Sequence, residues 1–367
     1  MNGNRHGVQS LLCLTLCAVL VTGSFIGSDY IAPKVQNIFK KYAVTDTVGS
    51  VLSVNMNSAT HNSDVSEIVG YGGGDYAVNT VSNTPTDIET LKEQAEIAFK
   101  NYKKSGNIEE KQMGATSKTL KYGALKIDNK TSENISVKNL LSKTPSYGTV
   151  TKDKPYILIY HTHSTEGYEM LDLGWYSDDY NSRTADKSKN MVRVGDELTE
   201  TLQEAGYNVI HDRNIYDTSY NGAYARSRVS VDKYLKQYPS IAITLDVHRD
   251  AIHYESGTKC KPTAVIDGKK AAQVMIISGC EGDGVENFSS WKENLTFALN
   301  LQSAVEEKNS GLMRPIFFCN RKYNMDATPC SLLLEFGTDA NTLEEAVYSA
   351  RLVGESLAGM LDKQLEK

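Results

Sequence analysis

The chain has 367 residues, a formal net charge of -6 and 40% hydrophobic residues. That length is enough to bury one large core or two smaller ones. The acidic balance argues against a nucleic-acid polyanion as the main partner, and no RNA-binding or helix-turn-helix signature points the other way.

From the N-terminus, residues 1–9 read as a short cytoplasmic tail and residues 10–27 as a transmembrane anchor. The run SLLCLTLCAVLVTGSFIG, Ser10 to Gly27, carries no formal charge and follows Arg5. It is just long enough to cross a bilayer and lies where a signal peptide would also lie. Thr22-Gly23-Ser24 is only a loose cleavage site, which favours an uncleaved anchor with the bulk of the chain outside the cytoplasm. The positive-inside rule does not fix the orientation, because Lys34, Lys40 and Lys41 outnumber the positive charges before the run.

Residues 28–153 read as a polar linker or stalk. The stretch Thr45 to Thr86 is rich in Ser, Thr, Asn and Gly and cannot bury enough apolar surface to offset its ordering entropy. Within the stalk, residues 87–104 (DIETLKEQAEIAFKNYKK) place Ile88, Leu91, Ala95, Ile97 and Ala98 at helical spacing, with acids early and bases late. This predicts a solvated or partner-docking helix.

After Pro155 the pattern changes, and residues 154–365 read as one catalytic domain. Strands are expected at Tyr156–Tyr160, Tyr207–Ile210, Ile241–Val247, Gln273–Ser278, Pro315–Cys319 and Ser331–Leu334. Helices are expected at Asn190–Ala205, Asn221–Tyr238, Glu293–Lys308 and Leu343–Leu365. The alternation predicts an α/β fold with a mostly parallel sheet flanked by helices on both faces. Of the six cysteines, Cys13 and Cys17 lie in the apolar run. Cys260, Cys280, Cys319 and Cys330 lack the C-x2-C spacing of a zinc finger and read as buried thiols, with one disulfide left open.

In open α/β sheets, ligands bind outside the carboxyl ends of the strands. Three expected strands end in groups suited to metal or acid-base chemistry. The first runs into His161, Thr162, His163 and Glu166, and an unbroken pleat would point both histidines to one face. The strand 241–247 runs into His248 and Arg249, with Asp246 placed to orient the imidazole. The strand 331–334 runs into Glu335, a carboxylate straight after three leucines, where an unpaired buried charge would be costly. Imidazole and carboxylate donors suit zinc, which would activate water for amide hydrolysis with a glutamate as base. The absence of H-E-x-x-H excludes the familiar metalloprotease helix. Without a G-x-S-x-G elbow, Ser164 is a weak nucleophile candidate, and Cys330 lies at the far end of its strand.

Five stretches, ILIYHTHSTEGY, VGDEL at 194–198, ITLDVHRDA at 243–251, AAQVMIISG at 271–279 and LLLEFGTDANTLEEA at 332–346, together resemble the stage II sporulation protein P family of endospore-forming bacteria. They cover most of residues 155–365 in order. The family's catalytic domain is similar to zinc-dependent N-acetylmuramoyl-L-alanine amidases. The resemblance therefore implies a Zn2+ enzyme acting on peptidoglycan, with an endopeptidase activity on cross-links also attributed to the family. It implies action in forespore engulfment from the mother-cell membrane, with sporulation proteins D and M as partners.

By position, the resemblance makes the first motif's histidine and His248 zinc ligands and Glu335 the catalytic glutamate. The related amidases have one histidine where this chain has two: an ungapped comparison favours His163, closeness to the strand end His161. Glu166 is the first choice of carboxylate ligand and Asp186, ahead of the helix near Asn190, the alternative. Arg249 would hold a substrate carboxylate. The alternative function is a non-catalytic wall-binding scaffold, and a zinc peptidase on a protein substrate is a third reading that the resemblance does not support.

Overall fold

The computed structural model describes residues 87–143 and 145–366. The first described element, α1 (Ile88–Phe99), starts at Asp87, whose carboxylate accepts from Thr90 N. Its inner face is Leu91, Ala95 and Phe99, all buried. Ile97, part of the expected stripe, is instead 66% exposed. Strands β1 (Gly106–Lys111), β2 (Leu120–Tyr122) and β3 (Leu125–Asn129) and helix α2 (Val137–Leu141) follow. Residues 87–153, expected within the stalk, thus contribute strands to both sheets of the domain. The apolar positions here are few, but Leu125, Ile127, Val137 and Leu140 are all buried in the main core, and short strands of this kind leave little periodic signal.

Then come β4 (Ile157–Tyr160), β5 (Trp175–Tyr176), α3 (Met191–Glu204), β6 (Val209–His211), α4 (Ala223–Gln237), β7 (Ile243–Asp250), β8 (Lys259–Ile266), β9 (Lys269–Ala272), β10 (Val274–Gly279), α5 (Trp291–Lys308), β11 (Ile316–Cys319), β12 (Cys330–Thr338) and α6 (Leu343–Leu365). The larger sheet has the order β2-β3-β11-β10-β12-β7-β4-β6, and a smaller one has the order β5-β1-β8-β9.

The α/β class is as expected, but the sheets are mixed rather than mostly parallel. β12, β7, β4 and β6 form one parallel block. β10, β11 and β3 form a second, joined to the first by the antiparallel β10–β12 pair. β2 closes the edge antiparallel to β3. Apolar runs report burial and leave strand direction open, so periodicity could not distinguish the two blocks. The reversal follows β8 and β9, a hairpin whose two-residue turn Asp267-Gly268 has positive φ at both positions. An Asp-Gly pair between extended segments is a type I′ signal.

The two faces of β4 divide the core. Ile157 and Ile159 pack with residues of α3, α5 and α6, such as Leu198, Leu299 and Leu357. Leu158 and Tyr160 pack on the other face with Val231 of α4 and Ile241. Helix α6 opens with a capping box between Thr342 and Glu345, which satisfies N-terminal backbone donors beside the site.

Among the described residues no helix is long and apolar enough to cross a membrane. The expected tail and anchor, residues 1–27, lie outside those residues. Cys260, Cys280, Cys319 and Cys330 are all buried and unpaired, and burial pushes the Cys330 thiol up to about 12.

Candidate functional site

The site lies at the carboxyl ends of β4, β7 and β12, on the face covered by α4. Strand β7 continues through Asp250 and β12 through Thr338, so His248 and Glu335 are in-strand residues and direct cross-strand partners. Opposed residues of neighbouring strands share a face. Asp246, two positions before His248, shares it too and pairs with Tyr160. Just past Glu335 the register shifts at Gly337, whose φ is +69°. A glycine at such a bulge bends the strand without strain.

The pleat of β4 ends at Tyr160. Residues 162–165 form a turn, closed by Glu166 N donating to His163 O at 3.1 Å. Asp246 holds this turn, accepting from Thr162 N at 2.8 Å and from Thr162 Oγ1 at 2.6 Å. The expectation that His161 and His163 point to one face is therefore corrected. His161 faces α3: its Nδ1 donates to Val247 O at 2.9 Å and its Nε2 lies 2.8 Å from His211 Nε2. Gly195 of α3 makes room, since a Cβ there would stand 2.5 Å from both Nε2 atoms. Burial, then the neighbouring His211, hold the His161 pKa well below its usual value.

His163 turns instead toward α4 and meets His248 edge to face, the ring centroids 5.3 Å apart. Its Nδ1 is buried without a hydrogen bond, with Asp217 Oδ2 3.8 Å away. His248 Nδ1 is 3.4 Å from Glu166 Oε2, and its Nε2 stands 2.8 Å from Asp246 Oδ1 without hydrogen-bond alignment. Burial opposes the charged form of His248, but Asp246 and Glu166 outweigh it and raise its pKa well above the usual range. Burial likewise opposes the Glu166 carboxylate, yet His248, Arg249 and Arg183 bring its pKa down to about 2. Burial pushes Glu335 up to about 8, with Asp250 and Glu166 adding to the effect and His248 opposing it. Its Oε2 is buried without a hydrogen bond, while part of the side chain reaches solvent.

The other sequence candidates lie elsewhere or serve other contacts. Asp186 is exposed, and its carboxylate accepts from Ser188 N and Oγ. The Ser164 hydroxyl is fully buried, and its one proton is shared between His161 O and Asn214 O. Arg249 donates through its main-chain N to Glu166 Oε2 at 3.3 Å. Its guanidinium donates to Gly167 O, Asp250 O and Ser182 Oγ.

Sequence reasoning missed four groups. Arg183 joins Glu166 Oε1 at 3.0 Å to Asp217 Oδ2 at 3.2 Å. Tyr220 lies flat on His163, the rings 4.6 Å apart and 4° from parallel. Tyr224 of α4 stacks toward His248. None of these carries a local motif. Only the count of 21 tyrosines hinted at an aromatic site.

The donors suit zinc in kind, because His163, Glu166 and His248 bring two imidazoles and a carboxylate to one corner, while His163 Nδ1 faces Asp217 and His248 Nε2 faces Asp246. Among the described residues, no group of three or more His, Cys, Asp or Glu side chains is already spaced to enclose an ion.

Beside the site Glu169 is 2% exposed, with Oε2 unbonded. Burial pushes its pKa up to about 7. A carboxyl raised on folding contributes full stability below its unfolded value and loses it as pH rises through the folded value. We expect Glu169→Gln to stabilise the fold by roughly 1–3 kcal/mol at pH 8 and to change little at pH 4. Denaturant melts at the two pH values check this; an equal difference at both would contradict it.

The family model for "Stage II sporulation protein P (SpoIIP)" matches residues 67–358. A protein of Bacillus subtilis (strain 168) described as "Stage II sporulation protein P" is 31% identical over 223 residues, covering 57% of this chain and 52% of that relative. The match thus spans about half the relative's length. Among solved structures, the N-acetylmuramoyl-L-alanine amidase AmiC2 of Nostoc punctiforme is 11% identical, with a TM-score of 0.33, covering 60% of this chain and all of that one. The CwlD amidase of Clostridioides difficile, in complex with the GerS lipoprotein, is 12% identical, with a TM-score of 0.33, covering 57% of this chain and 98% of that one.

Proposed function

The chain belongs to the stage II sporulation protein P family, and from that premise we propose that it is a peptidoglycan hydrolase of sporulation. The bond cleaved is the amide between N-acetylmuramic acid and the L-alanine of the stem peptide, with cross-link endopeptidase activity as an additional reaction. One observation carries the reading. His163, Glu166, His248 and Glu335 come from three strand ends to one corner, where Glu335 keeps an unbonded, buried Oε2.

His163, Glu166 and His248 are the residues proposed to hold Zn2+. Both nitrogens of His161 are already engaged, which supports His163 as the ligand of the pair. The chemistry such an ion supplies when bound is Lewis acidity, which makes water a nucleophile near neutral pH. Glu335, whose Oε2 is buried without a hydrogen bond, in its ionised form takes the water's proton there and returns it to the departing amide nitrogen. Asp246 fixes the turn that carries His163 and faces His248, so it positions both imidazoles. Arg183 and Arg249 hold Glu166 from two sides. Because the Arg249 head group is already engaged, its proposed role is to fix the Glu166–Gly167 backbone rather than to hold a substrate carboxylate.

The proposal includes anchoring through residues 10–27 in the mother-cell membrane, with the domain outside the cytoplasm. It also includes a part in engulfment alongside sporulation proteins D and M. The test is release of soluble fragments from dye-labelled peptidoglycan sacculi by the full chain. Zinc-dependent release supports the hydrolase. Binding without release, with zinc and both partners present, would overturn it in favour of a wall-binding scaffold.

A further inference from the structure

The aromatic rings at the site form two stacks at right angles. In one, Tyr220 lies parallel to His163. In the other, Tyr323, Tyr224 and His248 succeed one another, at 22° for the first pair and 11° for the second. His163 stands at 87° to Tyr224 and 83° to His248, so the stacks meet as a corner. Tyr323 and Asn324 hold the left-handed backbone region, at φ 44° and 58°. Their loop is pinned to α4 by Asn324 Nδ2, which donates to Tyr224 O and Ser227 Oγ. Two successive non-glycine residues in that region are strained, and here the strain accompanies the ring that completes the second stack.

Tyr220 differs from the rest. It is 65% exposed, so with one ring face on His163 and Arg183 over the ring, much of the remaining ring surface meets solvent. Arg183, already paired with Glu166 and Asp217, has its guanidinium carbon 5.7 Å from the ring centroid. We propose that the outer face of Tyr220 is a saccharide platform, on which the muramic acid ring of the substrate stacks. The C–H bonds on a pyranose face are electropositive and meet the negative face of an aromatic ring favourably. The scissile amide hangs from that sugar through a lactyl ether. A sugar lying over Tyr220 therefore delivers the amide across the edge of His163 into the corner that holds His248 and Glu335. The inference rests on the amidase reading and adds to it that the sugar, as well as the peptide, is recognised.

The test uses the full chain with two soluble substrates containing the same lactyl-L-alanine amide. One is a disaccharide stem peptide and the other a lactyl peptide without sugar. Tyr220→Ala is expected to raise the ratio of the saccharide KM to the lactyl-peptide KM about five- to tenfold, any effect transmitted through His163 falling on both substrates alike. Tyr220→Phe should behave as the wild type, and Tyr220→Trp should lower the saccharide KM. Equal losses on both substrates would make Tyr220 a mere shield for His163, and no change on either would also overturn the platform. If Tyr220→Ala does not fold, the Phe and Trp variants carry the same comparison. If the wild type, with zinc and both partners present, cleaves neither substrate, the amidase reading fails on its own. Calorimetric binding of muramyl dipeptide still decides the platform, weaker for Tyr220→Ala supporting it and equal affinity overturning it.

Discussion

Glu335→Gln is expected to lower hydrolysis of peptidoglycan by about 10²–10⁴-fold while the fold stays at least as stable. Direct cross-strand pairing puts this carboxyl beside His248, and burial raises its pKa to about 8. The neutral form is therefore favoured in the fold, and its ionisation becomes costly as pH rises from the unfolded value toward 8. The amide side chain keeps the shape and removes both the proton acceptor and that cost. Zinc content should be unchanged, because Glu335 is outside the proposed ligand set. Loss of metal together with activity would make it a ligand, and retained activity would remove it from the mechanism.

The second large contrast is between two histidines one residue apart. His161→Ala is expected to destabilise the fold by about 2–4 kcal/mol, measured in the presence of a chelator. It deletes a fully buried ring and leaves Val247 O and His211 without their partner, and both a cavity and orphaned polar groups are costly. His163→Ala should cost much less under the same conditions, since its Nδ1 makes no hydrogen bond. It should abolish zinc uptake and hydrolysis. Chelator melts paired with metal analysis read both effects. Zinc retained by His163→Ala and lost by a folded His161→Ala would reverse the assignment.

The grouping of the candidate residues was legible because each strand end is written as an apolar run abutting polar residues. ILIY before HTHSTE, ITLDV before HRD and SLLL before EFG all lie where the site is found. Which imidazole faces the corner was not legible. That depends on β4 ending at Tyr160 and on Asp246, from another strand, holding Thr162. The opposed strand blocks were hidden for a similar reason, since burial is local while direction depends on the β8–β9 hairpin. Its Asp267-Gly268 turn was present as a signal. Arg183, Asp217 and Tyr220 reach the site from loops after β5 and β6, where no periodicity marks a residue's destination.

The most direct measurement is mass spectrometry of fragments released from purified peptidoglycan by the full chain, with chelator and after zinc is restored. Free stem peptides beginning at L-alanine, with glycan strands lacking peptide, should appear, vanish with chelator and return with zinc. Fragments cut only within the peptide or the glycan, or release indifferent to chelator, would contradict a zinc amidase built on His163, Glu166, His248 and Glu335.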